Sequence, residues 1–206
     1  MNNLKQLLKK CVIFCAFMCV TITLTADEVK AKNFVDKVAK DIIKTVSNES
    51  MSDVQLKSSL RKIILSNFDI TWMSKFVAGQ AYKNLSEEKK QEYTEAYSSY
   101  LISSYLPILR KYTNESYSIN KTTVTGPKNF DVDVIILRNN GKPPLSLRYH
   151  IVELENGDVK ARDMVIEGVS TILNQRSEFI NTIQSKGVEG LIAELKSGAN
   201  KNKNMA

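Results

Sequence analysis

The feature that most constrains this chain is a change of period within residues 163–196, which read DMVIEGVSTILNQRSEFINTIQSKGVEGLIAELK. Met164, Val165 and Ile166 form an apolar run of strand character that ends at Glu167-Gly168. Behind that break the apolar residues recur at helical spacing, at Val169, Ile172, Leu173, Phe179, Ile180 and Ile183. A strand therefore turns directly into a helix. Gly187 is placed to stop that helix, and Val188, Leu191, Ile192 and Leu195 mark a short second one behind it.

Four helices are predicted upstream. Val35, Val38, Ile42 and Val46 recur at three and four residues, giving an amphipathic helix up to about position 46. Ser52 and Gln55 have the form of a capping box ahead of the stripe Leu56, Leu60, Ile63 and Ile64. Asp69 is a cap for a shorter helix that carries Trp72, Phe76 and Val77 and ends at Gly79. Ser86, followed by Glu87 and Glu88, starts a fourth helix over about 87–112. Its expected inner face holds Tyr93, Tyr97, Tyr100, Leu101, Tyr105, Ile108, Leu109 and Tyr112. A buried phenol needs a partner for its hydroxyl, so this tyrosine stripe suits a cavity wall as well as it suits a plain core.

After Asn114 the period becomes two. Residues 116–125, 130–138, 145–155 and 159–166 read as four strands, separated by the turn signals Gly126-Pro127, Asn140-Gly141 and Asn156-Gly157. Phe130, Val132, Val134 and Ile136 alternate with Asp131 and Asp133, and Leu147, Tyr149 and Ile151 alternate with Arg148 and His150. The sheet thus has one greasy face. The expected fold class is α+β: N-terminal helices packed with a four-stranded antiparallel sheet and closed by C-terminal helices.

Residues 1–26 carry Lys5, Lys9 and Lys10, then an uncharged apolar run from Cys11 to Thr25, then Ala26 before Asp27-Glu28. This order is that of a secretory signal peptide cut near Ala26; the alternative, an uncleaved anchor, is disfavoured because a run of ~15 residues falls short of the ~20 needed to span a bilayer. Cys11, Cys15 and Cys19 all lie in that segment, so the exported part has no thiol chemistry or disulfide. The three leader lysines account for part of the formal +7, leaving +4 beyond position 26. That mild, sign-alternating charge excludes a nucleic-acid interface as the main reading. Residues 197–206 hold nothing that can bury and are expected to form a disordered tail. One domain is therefore expected over 27–196.

Catalytic chemistry is absent from the pattern. His150 is the sole histidine, in mid-strand, and no G-x-S-x-G elbow or glycine-rich phosphate loop occurs. Asp131 and Asp133 share a face, yet they occupy the polar phase of an alternating strand and no further metal-ligand set accompanies them. No enzyme, metal or cofactor is implied.

Two blocks resemble the MlaC-type (toluene-tolerance) family of periplasmic phospholipid carriers. The C-terminal block carries Asp163, the EGVS of 167–170, the RSEF of 176–179 and the GVEGLI of 187–192; the second runs FDITWMSKFVAGQAYKNLSEEKKQEYTEAYSSYLISSYLPILRKY over 68–112. The resemblance implies a periplasmic monomer that shuttles phospholipid between outer and inner membranes beside an ABC transport system, with lipid tails in a cavity between sheet and helices. It implies as partners an inner-membrane ABC transporter's substrate-binding component and an outer-membrane lipoprotein complex. The pocket wall would come from Val132, Val134, Ile136, Leu147, Tyr149 and Ile151 on the sheet, from Met164, Ile166, Val169 and Ile172 beyond it, and from Trp72, Phe76, Tyr97, Leu101 and Tyr105 on the helices. Lys128, Arg138, Lys142, Arg148, Lys160 and Arg162 would supply a charged docking rim. The residues alone leave a second reading open, a non-lipid periplasmic interaction module whose elements fill their own core.

Overall fold

A computed structural model describes residues 25–110, 115–138 and 141–201. Residues 1–24 of the leader segment, and Tyr112, thus lie outside the described residues. In chain order the elements are α1 (Ala26–Val46), α2 (Asp53–Asn67), α3 (Ile70–Ala78), α4 (Gln80–Lys83), α5 (Glu87–Leu109), β1 (Ser116–Gly126), β2 (Asn129–Leu137), β3 (Leu145–Glu153), β4 (Val159–Ile166), β5 (Val169–Ser170) and α6 (Thr171–Lys201). The strands form one antiparallel sheet in sequential order, β1-β2-β3-β4-β5.

The sheet has five strands where four were expected. Glu167 (φ 49°) and Gly168 (φ 82°) form a two-residue left-handed turn, so Val169 and Ser170 fold back on Ile166 and Val165 before the helix begins. Asp163 fixes that junction. Its buried carboxylate accepts hydrogen bonds from Ser170 Oγ (2.5 Å), Thr171 Oγ1 (3.0 Å) and Ile172 N (3.0 Å), so it satisfies free donors at the start of α6. Gly187 breaks α6 with φ 71° and ψ 177°, a backbone region open essentially to glycine alone. The helical path then continues through Lys201, five residues into the segment expected to be a tail.

The caps read from sequence are formed. Ser52 and Gln55 close a reciprocal capping box on α2, and Asp69 Oδ1 accepts from Trp72 N at 3.2 Å to start α3. Asp69 also ties the helices to the sheet: its Oδ2 accepts from Arg162 Nε at 2.9 Å, and its backbone N–H donates to Ala161 O at 2.9 Å.

Three apolar clusters build the interior. One joins α3, α5 and α6 around Val77, Tyr93, Tyr97, Ile102 and Leu191. A second joins α1 to the inner sheet face around Val35, Val132, Val134, Leu147 and Ile151. The third joins α1, α2 and α5 around Val46, Leu60 and Leu106. Two of the five tyrosines in the stripe are therefore solid core. Tyr93 and Tyr97 are fully buried between helices, and Tyr97 donates its hydroxyl to Gln175 Oε1 at 2.8 Å. Ile108, expected on the inner face, is 49% exposed near the last turn of α5.

Candidate functional site

Where the three clusters meet they do not close, and an apolar cavity of about 140 Å³ remains. Its floor is the inner sheet face. Antiparallel register sets Val134 beside Leu147 and Ile136 beside Leu145, then Leu147 beside Ile166 and Tyr149 beside Met164, so period two delivers every one of these side chains to the same side. Its roof is the C-terminal half of α1, with Ala39, Ile42, Ile43 and Val46, and the end of α5, with Tyr105, Ile108 and Leu109. Tyr117 and Glu115 stand at the β1 side. A second chamber of about 80 Å³ lies deeper, bounded by Ile64, Phe68, Met73, Leu101 and Thr171, and shares Ile42, Tyr105, Leu109, Tyr149 and Met164 with the first.

Polar groups in this wall are few. Tyr117 donates its hydroxyl to Asp36 Oδ1 at 2.9 Å. Burial, with that carboxylate as the second cause, pushes the Tyr117 phenol up to about 12. Tyr149 keeps some accessible surface because it lines the cavity, and burial pushes its phenol up to about 12 as well. A wider open groove of about 1120 Å³ runs along α2 and α5, but Glu87, Glu88, Lys90 and Glu95 line it, which unsuits it to an apolar guest.

Seven of the sequence-predicted residues line the main cavity: Tyr105, Val134, Ile136, Leu147, Tyr149, Met164 and Ile166. Leu101 lines the deeper chamber. The others lie elsewhere, each for a local reason. Val132 and Ile151 belong to the closed part of the sheet core, at 0% and 2% exposure. Tyr97 and Ile172 are buried in the helical core. Trp72 and Phe76 stack on each other at 4.9 Å between Arg162 and Arg176, because α3 turns Met73 and Val77 inward instead. Val169 is 59% exposed, since the next residue of the strand, Ser170, takes the inward position beside Asp163. Sequence reading missed the roof from α1. The signal was present as a broad apolar face at 39, 42, 43 and 46, but a stripe on an N-terminal helix looks the same whether it faces a core or a void.

The remaining polar candidates have local partners. Asp133 pairs with Arg148 Nε at 2.6 Å, and Asp131 Oδ1 lies 2.5 Å from His150 Nδ1, so the two carboxylates serve cross-strand pairs on the outer sheet face. Among the described residues no cluster of three or more His, Cys, Asp or Glu side chains is placed to hold a metal. The expected docking rim does not assemble at one place. Lys142 sits in the β2–β3 connection and Lys160 near the start of β4, at opposite ends of the sheet. Arg148 and Arg162 are engaged with Asp133 and Asp69.

Among the described residues no helix is long and apolar enough to cross a membrane. The family model described as MlaC protein matches residues 34–197. The chain is similar to the intermembrane phospholipid transport system binding protein MlaC of Haemophilus influenzae, with 24% identity over 180 residues that make up 86% of this chain and 84% of that one. Its fold is similar to the solved structure of the phospholipid-binding protein from Ralstonia solanacearum in complex with a phospholipid, with a TM-score of 0.72 and 20% identity over 84% of this chain and 98% of that chain.

Proposed function

The chain belongs to the MlaC family, and from that premise we propose that it is a soluble periplasmic carrier that moves phospholipid between the outer and inner membranes as part of an ABC transport system. The observation that carries this reading is the apolar cavity between the sheet and α1 and α5, lined almost wholly by side chains without charge. Two ~16-carbon chains left in water would cost roughly 25 kcal/mol at about 0.8 kcal/mol per methylene, whereas passing from a bilayer into an apolar cavity is close to neutral. A carrier of this kind collects and releases its cargo without a nucleotide of its own, and the head group stays at the mouth.

At about 140 Å³ the cavity is smaller than the ~300–1,000 Å³ of ordinary ligand pockets. Loading therefore requires the walls to part. The route would run from an outer-membrane lipoprotein complex to the substrate-binding component of an inner-membrane transporter, or the reverse, with residues 1–26 acting as the export signal. Contacts with such partners must be left as readily as they are made, which suits modest, salt-sensitive interfaces. The test is to purify the protein without detergent, extract it into organic solvent, and incubate the emptied protein with phospholipid vesicles. Phospholipid recovered in both steps supports the carrier. Recovery in neither favours an interaction module with no lipid cargo.

A further inference from the structure

One edge of the sheet is covered and the other is open. On the covered side β5 pairs with Val165 and Ile166 of β4, Phe68 bridges to Ala161, and Asp69 N donates to Ala161 O at 2.9 Å. On the open side lies β1, Ser116–Gly126, at eleven residues the longest strand of the sheet. Its ladder runs to β2 alone, and no described residue outside that ladder makes a backbone–backbone hydrogen bond to it. An edge that is only protected is kept short or interrupted by proline, and β1 is neither. Register shifts against β2 beside Lys121 and near Gly126 limit what can pair with the edge without closing it. Lys121 is the sole charged residue of β1 and stands at its midpoint. It is exposed and has no ion-pair or hydrogen-bond partner among the described residues, because Asp133, opposite it in register, is bonded to Arg148 at 2.6 Å. Two copies of β1 laid antiparallel at full overlap would set Lys121 against Lys121, and like charges directly opposite disfavour that self-pairing.

We propose that β1 is a docking edge that takes an extended segment of a partner protein as a further strand of the sheet, with an acidic residue of that segment opposite Lys121. A row of edge N–H and C=O groups is completed by another extended backbone, and the lone central cation selects an acidic one. Ser118 and Thr123, in the same phase as Lys121, are small and uncharged and compete with neither contact. The inner face of the same strand carries Tyr117, which borders the apolar cavity and is bonded to Asp36 of α1 at 2.9 Å. A partner seated on β1 therefore lies against the side wall of the cavity. The inference stands on the sheet edge and holds whether or not the cavity takes phospholipid.

The experiment mixes the full exported chain with two labelled synthetic peptides, residues 116–126 as they stand and the same segment carrying Lys121→Glu. Binding is read by fluorescence anisotropy and by amide hydrogen exchange. The Lys121→Glu peptide should bind about fivefold tighter than the unchanged one, since an attractive cross-strand pair replaces a repulsive one. Alternate amides of β1, those not bonded to β2, should exchange more slowly in its presence, while those of β5 do not change. The protein variant Lys121→Glu, altered only at an exposed position, should reverse the preference between the peptides. Tighter binding of the unchanged peptide to the wild-type chain, or dimerisation of that chain through β1, makes a second copy the occupant and overturns the acidic partner. Protection of no β1 amide by either peptide overturns the docking edge.

Discussion

Tyr117 of β1 donates its hydroxyl to Asp36 of α1 over 2.9 Å, and that bond crosses the side wall of the apolar cavity. Lys40 is the other partner of Asp36, at 2.6 Å, and its hydrogen bond is the larger cause holding the Asp36 carboxyl below its ordinary range, with Tyr117 second. Both sides of the contact are partly exposed, so its net worth is about 1 kcal/mol. Tyr117→Phe should cost that much in denaturant unfolding. It should also speed exchange of bound phospholipid with vesicles several-fold, because α1 is the roof that has to lift. Unchanged exchange in a variant that is measurably less stable would show that lipid enters elsewhere.

The same phenol and that of Tyr149 predict an alkaline limit to stability. Each is raised from 10.0 to about 12, chiefly by burial. In the unfolded chain these groups ionise near their ordinary value, while the folded protein keeps its protons for longer and so binds more of them in the interval. Their contribution is fully present below pH 10 and is lost as pH rises through about 12. Urea midpoints recorded across that window should fall, and they should fall less steeply in Tyr149→Phe. An identical slope in both proteins would contradict the assignment.

Polar substitutions should separate cavity from core along a single strand. Ile136 borders the cavity, so Ile136→Gln should leave the fold largely intact and reduce lipid retention by an order of magnitude or more. Val132, four residues earlier on the same face and 0% exposed, has no space beside it. Val132→Gln should destabilise by about 3 kcal/mol or more. Thermal melts together with lipid extraction distinguish the two outcomes.

That contrast shows what was legible in the sequence. The phase of β2 and β3 was readable because Asp131, Asp133, Arg148 and His150 mark the polar face, and the helix starts were readable because Ser52, Gln55, Asp69 and Ser86 are capping residues. Val132 and Val134 look identical in sequence, and only packing tells that one meets a wall of side chains and the other a gap. Tyr97 and Tyr105 likewise occupy one helical stripe, yet α6 covers the first and leaves the second facing open space. A cavity is missing volume, and volume is set by how three clusters fail to meet, which no periodicity records. The two-residue β5 was hidden because Val169 continues the helical pattern of Ile172 and Leu173.

The break in α6 predicts two unlike glycine effects. Gly187 needs a backbone region that side-chain-bearing residues avoid, so Gly187→Ala should cost about 1–3 kcal/mol. Gly190 has ordinary backbone angles, but a Cβ there would lie 2.4 Å from Lys186 Cβ, an atom that moves only with its backbone. Gly190→Ala should therefore be at least as damaging, and Lys186→Gly should rescue it while leaving Gly187→Ala unrescued. Unfolding curves for the single and double variants check this.

In the proposed carrier the acyl chains lie between the sheet and the α1–α5 roof. A phospholipid with a photoactivatable diazirine at the end of one chain tests it directly, by loading, irradiation and mapping of the adducts by mass spectrometry. Adducts on Ile42, Tyr105, Leu109, Val134 or Met164 are the predicted result. Adducts confined to the outer sheet face around Arg148 and His150, or to the Trp72-Phe76 stack, would contradict it.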